Sequence, residues 1–463
     1  MVLFSDVVKE ATYMKKLKVL MLGWEFPPIV TGGLGAACYG ISKSLAGKVD
    51  LTLILPKSDP DFILQNVDLT GLNNIDIQNI KAEFTKPEYS AFGEVMYVPA
   101  NILPYQEAEE QVAIVPETST TKSEQAAETV TAPVKPAYHP VTITEPVEEL
   151  NVFGHTSLEK MDANSAVIQY ARYATRLASQ KDFDVIYAHD WMTFLAGVEL
   201  KLVSGKPLVV HVHSLSYDRA GKDSQGWIYE LEKQALEKAD FIIPVSEYTS
   251  KIIQTQYGIS PERIQSVYNG IDPKQPVRKE KSSDEDKLVL FLGRITEQKG
   301  ASYFLDIAAK VLEQTKDVQF VMAGTGNQLQ ELLNSDQYLQ LDNKFEFTGF
   351  LDREKVDNLL AIADVYCMPS VSEPFGLSAI EAAQYGVPTV LSNQSGAAEV
   401  LHSALKADYN DTETMAAHII SLLQDETLRE KVITDSYQDI ESLTWENAAE
   451  EILEILEKVV EQA

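Results

Sequence analysis

At 463 residues, with 45% hydrophobic and 23% charged side chains, the chain is too long for one ordinary core and has globular proportions. Its 69 acidic against 39 basic side chains leave a net charge of -30, a field that repels nucleic acid and anionic membrane and suits a neutral partner such as a carbohydrate. An anionic ligand binds such a chain only where local cations and backbone N–H groups overrule the repulsion.

From the N-terminus, the apolar run Val19 to Leu22 is too short for a membrane span and no cleavage-site pattern comes after it, so it reads as a buried strand. Cys38 and Cys367 lie in separate halves without metal-type spacing, which points to a reducing compartment. A cytoplasmic protein without stable membrane insertion is expected. Short runs of Val, Ile and Leu alternate with helix-period segments, the pattern of parallel sheets covered by helices. Strands are predicted at 18–22, 51–55, 184–188, 207–212 and 241–245 in the first half. In the second they are predicted at 288–293, 319–324, 344–349, 364–369 and 388–392. The fold class is therefore α/β with two Rossmann-like domains, the first over 17–274 and the second over 284–440. The charged, aperiodic stretch 274–287 is the linker. Within the first domain, 105–150 carries nine Glu and two Lys among Thr, Ala and Pro, and is expected to be a disordered or loosely packed insertion. The final segment, 441–463, is predicted helical, with Trp445, Ala448, Ile452, Ile455 and Val459 on one face.

Four stretches offer chemistry. In MLGWEFPPIVTGGLGAACYGISKSLA (21–46) a strand leads through a Pro-containing loop and Gly32, Gly33 and Gly35 into a helix, whose N-terminus offers unpaired N–H groups to an anion. A tight structural turn would look the same. Cys38 stands where a dinucleotide fingerprint needs its third glycine, and the second strand runs into Pro56 instead of an acidic ribose ligand, so NAD is not expected. HDW (189–191) and HVHS (211–214) both end predicted parallel strands, the edge where such sheets bind ligands, and His213 lies furthest past its strand. LVLFLGRITEQKG (288–300) puts Arg294 and Lys299 at a strand exit, a fork donor and a point cation suited to a diphosphate, although a solvated pair of charges has the same spacing.

The sharpest element is SVSEPFGLSAIEAAQYGVP (370–388). Glu373 lies in a loop, Gly376 and Leu377 open a helix, and Glu381 falls about one turn inside it. The arrangement offers helix N–H groups to phosphates and two carboxylates to hydroxyls of a sugar and a ribose, beyond what complementing the helix dipole would need. Asp59-Pro60-Asp61 and Asp284-Glu285-Asp286 match a D-x-D metal pattern, but one is turn-like and the other lies in the linker. No metal or other cofactor is expected.

In this order, WEFPP with GGLG, HDW, HVHSLSY, VYNGID (267–272), GRITEQKG and the Glu373/Glu381 pair resemble the retaining GT-B glycosyltransferases, specifically family four and its glycogen and starch synthase relatives. The resemblance runs from Lys18 to the C-terminus apart from 105–150. It implies two domains facing a cleft, a C-terminal helix returning to the first domain, and transfer of a hexose, glucose first, from a UDP- or ADP-sugar to a glycan acceptor. It would put Gly33 by the donor phosphates and reacting centre, His213 near the donor sugar, and Arg294 and Lys299 on the diphosphate. Glu373 would hold sugar hydroxyls, Gly376 and Leu377 would present N–H groups to phosphate, and Glu381 would bind the ribose. Glycogen synthases typically carry a lysine where this chain has Val30, and a later glycine pair reads Ser395-Gly396. Residues 216–240 resemble family four more than classical glycogen synthases. A family-four enzyme with another sugar and acceptor is the first alternative. A non-catalytic sugar-nucleotide or glycan-binding protein is the second, against which His213, Arg294, Lys299 and Glu373 occur together.

Overall fold

The computed structural model describes residues 16–29, 32–75, 162–273, 278 and 286–463. The expected insertion at 105–150, Val30 and most of 274–287 lie outside the described residues. The first sheet contains β1 (Lys18–Leu22), β2 (Asp50–Leu55), β3 (Val67–Gly71), β4 (Val185–His189), β5 (Leu208–Val212) and β6 (Phe241–Pro244). The second contains β7 (Lys287–Leu292), β8 (Val318–Ala323), β9 (Phe345–Gly349), β10 (Val365–Met368), β11 (Thr389–Ser392) and β12 (Leu405–Ala407). Their orders are β3-β2-β1-β4-β5-β6 and β12-β11-β10-β7-β8-β9, with every pair parallel.

The central strands are apolar because helices cover both faces, leaving only strand ends such as Lys287 exposed. Every residue of β4 and β5 is buried. The edge strands β3 (VDLTG) and β12 (LKA) are mostly half-exposed and lack an apolar run, so the sequence pattern passes over them. The sheets repeat one plan: β1 sits between β2 and β4, and β7 between β8 and β10. The direction in which successive strands are added reverses at those points, which opens a crevice beyond the strand C-termini.

The helix Trp445–Gln462 buries Trp445, Ala448, Ile452, Ile455 and Val459 in the core of the first sheet. Its N-terminus is capped by Thr444, whose hydroxyl accepts from the Asn447 N–H at 3.1 Å. The Trp445 indole lies on the helix Gly33–Leu45 where only glycine fits: a Cβ on Gly40 would stand 2.3 Å from the ring. Lys48 pairs with Glu446 at 2.7 Å and Glu450 at 3.1 Å at the rim of this contact. The chain thus passes between the two units twice. The passages touch, since the Ile271 N–H donates to the Leu443 carbonyl at 2.9 Å and Ile271 bridges Thr444. Among the described residues, no helix is long and apolar enough to cross a membrane.

Candidate active site

The crevices of the two sheets face each other and enclose one cleft of about 690 Å³. That volume is within the range that takes a small organic ligand. Gly33, His213, Arg294, Lys299, Glu373, Gly376, Leu377 and Glu381 all line it. Residues from four separate motifs are thereby brought to one surface.

On the second unit's wall, the loop after β7 is held by Gln298. Its amide oxygen accepts from Arg294 at 3.1 Å, its Nε2 donates to the Ser372 carbonyl at 3.2 Å, and its own carbonyl accepts from the Val371 N–H at 2.9 Å. Gln298 therefore joins the loop after β7 to the loop after β10. Lys299 donates to the Glu373 carboxylate, and the pair is largely withdrawn from water, with side chains 20% and 6% exposed. Sequence treats these two residues as independent contacts; the structure makes them an ion pair, because neighbouring parallel strands deliver both loops to the same switch point.

Glu373 is further fixed by its backbone, which donates to the Gln394 carbonyl at 2.9 Å and accepts from the Gly396 N–H at 3.0 Å. The Ser395-Gly396 segment thus buttresses the Glu373 loop. Gly376 adopts φ +98° before the helix Leu377–Gln384, a conformation unfavourable for residues with a Cβ, and Met368, Ala397 and Glu373 crowd the position to 3.0–3.2 Å. Glu381 accepts from Arg353 at 2.6 Å, and Arg353 also meets Asp357 at 2.9 Å.

The first unit's wall has another character. Gly33 opens the helix Gly33–Leu45, which has neither a side-chain cap nor an acidic residue in its first turn. A Cβ there would lie 3.6 Å from Leu377 across the cleft, so two helix N-termini converge on one space. Both supply unpaired N–H groups and the positive end of a helix dipole.

His213, half-buried, stacks on His211 with ring centres 4.3 Å apart, and its Nε2 lies 3.0 Å from His189 Nδ1. His211 Nδ1 meets the Tyr187 hydroxyl at 2.5 Å. Burial holds all three imidazoles below the usual histidine range, with His213 lowered to about 3. The rings are accordingly neutral at physiological pH. Asp190, at φ +62°, accepts from the backbone N–H groups of His213 and Ser214 at 3.3 and 3.1 Å and so sets the strand exit. Burial raises this carboxyl to about 7, against the opposing pull of Arg219 and the Ser214 hydrogen bonds.

The units are also fastened below the cleft. Ser372 donates to Asp218 at 2.6 Å and lies 3.0 Å from the Tyr248 hydroxyl, while Ser246 donates to the Pro374 carbonyl at 2.5 Å. The Glu399 carboxylate accepts from the N–H groups of Glu247 and Tyr248 at the N-terminus of the helix Glu247–Gln256.

Sequence reasoning misses Glu25, Asn269, Gln298 and Arg353, which also line the cleft. Gln298 stands inside GRITEQKG and Asn269 inside VYNGID, so the motifs themselves point to both; Arg353, which starts the helix Arg353–Ile362 outside any motif, offers no signal. Cys38 has no ligand spacing along the chain, yet folding brings its sulfur to His189 and His213, the three ligand atoms lying within 4.8 Å of one another.

Residues 274–439 match the family model described as glycosyl transferases group 1, and residues 134–275 match that of glycosyltransferase family 4. The chain is 30% identical to the alpha-maltose-1-phosphate synthase of Mycolicibacterium smegmatis over 64% of its own length and 84% of the relative's. It is 23% identical to a glycogen synthase of Mycobacterium tuberculosis over 94% of its own length and 92% of that chain. The fold matches Anabaena HepE, solved in complex with UDP and glucose, at a TM-score of 0.62, 16% identity, and coverage of 96% of this chain and all of that one.

Proposed function

Because this chain belongs to the GT-B glycosyltransferases of family four, with glycogen synthase among its relatives, we propose that its cleft transfers glucose from a UDP- or ADP-sugar to a glycan acceptor with retention of anomeric configuration. The observation that carries this reading is the convergence of Arg294, Lys299, Glu373 and two helix N-termini on one space beside the neutral His213.

In this reading, Arg294, Lys299 and the N–H groups of Gly376 and Leu377 hold the diphosphate, with Gly33 close to the phosphates and reacting centre. The cations then gain interaction energy as the sugar–oxygen bond breaks and negative charge builds on the leaving group. Glu373 orients sugar hydroxyls through the oxygen that Lys299 leaves free. Glu381 takes the ribose hydroxyls and shares its carboxylate with Arg353. His213, uncharged, hydrogen-bonds the donor sugar without adding a cation next to a developing oxocarbenium centre. Fixed side-chain cations and helix dipoles take the place of a divalent metal, so turnover is expected to survive chelation.

The reading is tested by incubating the protein with UDP-, ADP- and GDP-sugars plus glycogen, following donor depletion, and determining the anomeric configuration of the earliest product by NMR. An α-linked product from an α-donor is expected. A β-linked product overturns retention, and donor binding without depletion favours the non-catalytic alternative. The maltose-1-phosphate synthase relative makes a small phosphorylated sugar an acceptor to include beside glycogen.

A further inference from the structure

Behind the first wall of the cleft, three elements each contribute one metal-type ligand. Cys38 comes from the helix Gly33–Leu45, His189 from the end of β4, and His213 from the residue after β5. Their ligand atoms lie within 4.8 Å of one another, and zinc held by one sulfur and two nitrogens needs them about 3.3–3.6 Å apart by its ordinary bond lengths. Side-chain shifts on the order of an ångström close the difference.

The same histidine cluster also holds unmatched ring nitrogens. His189 is fully buried, and with Nδ1 on His213 its other ring nitrogen, Nε2, has no partner; His211 Nε2 is likewise unmatched. A buried polar atom without a partner calls for an explanation such as a bound water or ion. Glu25 and the half-buried His213 line the cleft, which gives an ion a path inward and leaves a fourth coordination position toward the substrate space.

We propose that Cys38, His189 and His213 form a binding site for a thiophilic d10 cation, Zn2+ being the probe, and that its occupation shuts the cleft. On binding, the Cys38 thiol releases its proton to solvent through the cleft and the thiolate and two imidazole lone pairs coordinate the ion. The metal displaces the His189–His213 hydrogen bond. It also ties up the His213 ring, so an occupied site and a bound donor sugar exclude each other. The binding site stands on its own geometry; only the inhibitory consequence rests on the transferase reading.

Cobalt titration of the full chain decides the matter, because a thiolate on Co2+ gives a charge-transfer band in the near ultraviolet that reports the sulfur ligand without any activity measurement. One Co2+ per chain with this band is expected, displaced by Zn2+. The band should vanish in Cys38→Ala and in Cys38→Ser, each checked for native circular dichroism, and persist in Cys367→Ala, whose thiol is buried in β10. His189→Gln should weaken binding by about tenfold or more, the lower bound set by what loss of a mere supporting contact costs. No band, or a band unchanged in both Cys38 variants, overturns the site. Zn2+ should also slow donor consumption in competition with donor and lose this effect in Cys38→Ala. A normal cobalt spectrum with zinc-insensitive transfer overturns the shut-off alone.

Discussion

On the second unit's wall the site consists of salt bridges, Lys299 with Glu373 and Arg353 with Glu381, whereas the first unit's wall presents the neutral His213 ring, backed by the buried His189 and His211, beside Glu25. The same sheet plan underlies both. The difference lies at the strand ends: the loops after β7 and β10 hold charges as opposite pairs, whereas β4 and β5 end in rings packed into the core, where a lone charge would be costly. One wall is thus built to meet a charged diphosphate and the other to meet an uncharged sugar, if the cleft performs the proposed transfer. Duplicated architecture here has been divided by side-chain environment rather than by topology.

The strongest way to break this contrast is Lys299→Ala. If the charged wall acts on the leaving group, turnover should fall on the order of a hundredfold or more. Glu373, 6% exposed, would lose its cation as well, so the thermal midpoint should drop further than for an exposed charge, and Lys299→Ala/Glu373→Gln should recover stability but not turnover. Near-native turnover in the single variant would remove the phosphate role.

The neutral wall is sharpened by stability against pH. His213 is lowered to about 3, so as pH falls below about 6.5 an unfolded histidine binds a proton that the folded one refuses, and stability declines toward pH 3. Asp190, raised to about 7, acts with the opposite sign: its contribution is complete below about 3.8 and is lost as pH rises to about 7. Asp190→Asn keeps an oxygen acceptor for the N–H groups of His213 and Ser214. Its thermal midpoint should therefore gain on the wild type from pH 4 to 7 and keep the acid-side decline. A gap that stays constant over this range would contradict the buried carboxyl.

The smallest effect is expected from Arg353→Ala. Its pair with Glu381 is half-exposed, so stability should change by less than about 1 kcal/mol. The donor Michaelis constant should shift by a few-fold, as freeing Glu381 alters how it meets the ribose, with turnover nearly unchanged. A large fall in turnover would move Arg353 into the charge-stabilising group.

Both sheets are legible in sequence wherever strands are buried on two faces, because apolar runs such as LVVHV have no other common explanation. The edge strands β3 and β12 escape because half-exposed residues carry no such run. Of the site, the eight residues read from motifs all reach the cleft, since each motif sits at a strand exit and the switch points gather those exits. Pairings are not legible. Nothing in the spacing of Lys299 and Glu373, or of Cys38 and His189, tells which side chains meet, because strand order alone decides it. Arg353 shows the remaining limit: an exposed arginine at a helix start has no local pattern to distinguish it from solvent-facing charge.

The paired passages at Ile271 and Leu443 carry a mechanical consequence. Two bodies joined by one strand can swing and twist in any direction, but two strands hydrogen-bonded side by side act as the pin of a door. Once the Ser372–Asp218, Ser246–Pro374 and Glu399 contacts between the units release, the motion left is rotation about the line through Ile271 and Thr444, with the terminal helix anchored by Trp445 as the leaf fixed to the first unit. Opening would then move Glu373 and Gly376 away from His213 and Gly33 along one arc. Each reclosure would return them to the same register, so alignment of the two walls need not be searched for anew in every cycle.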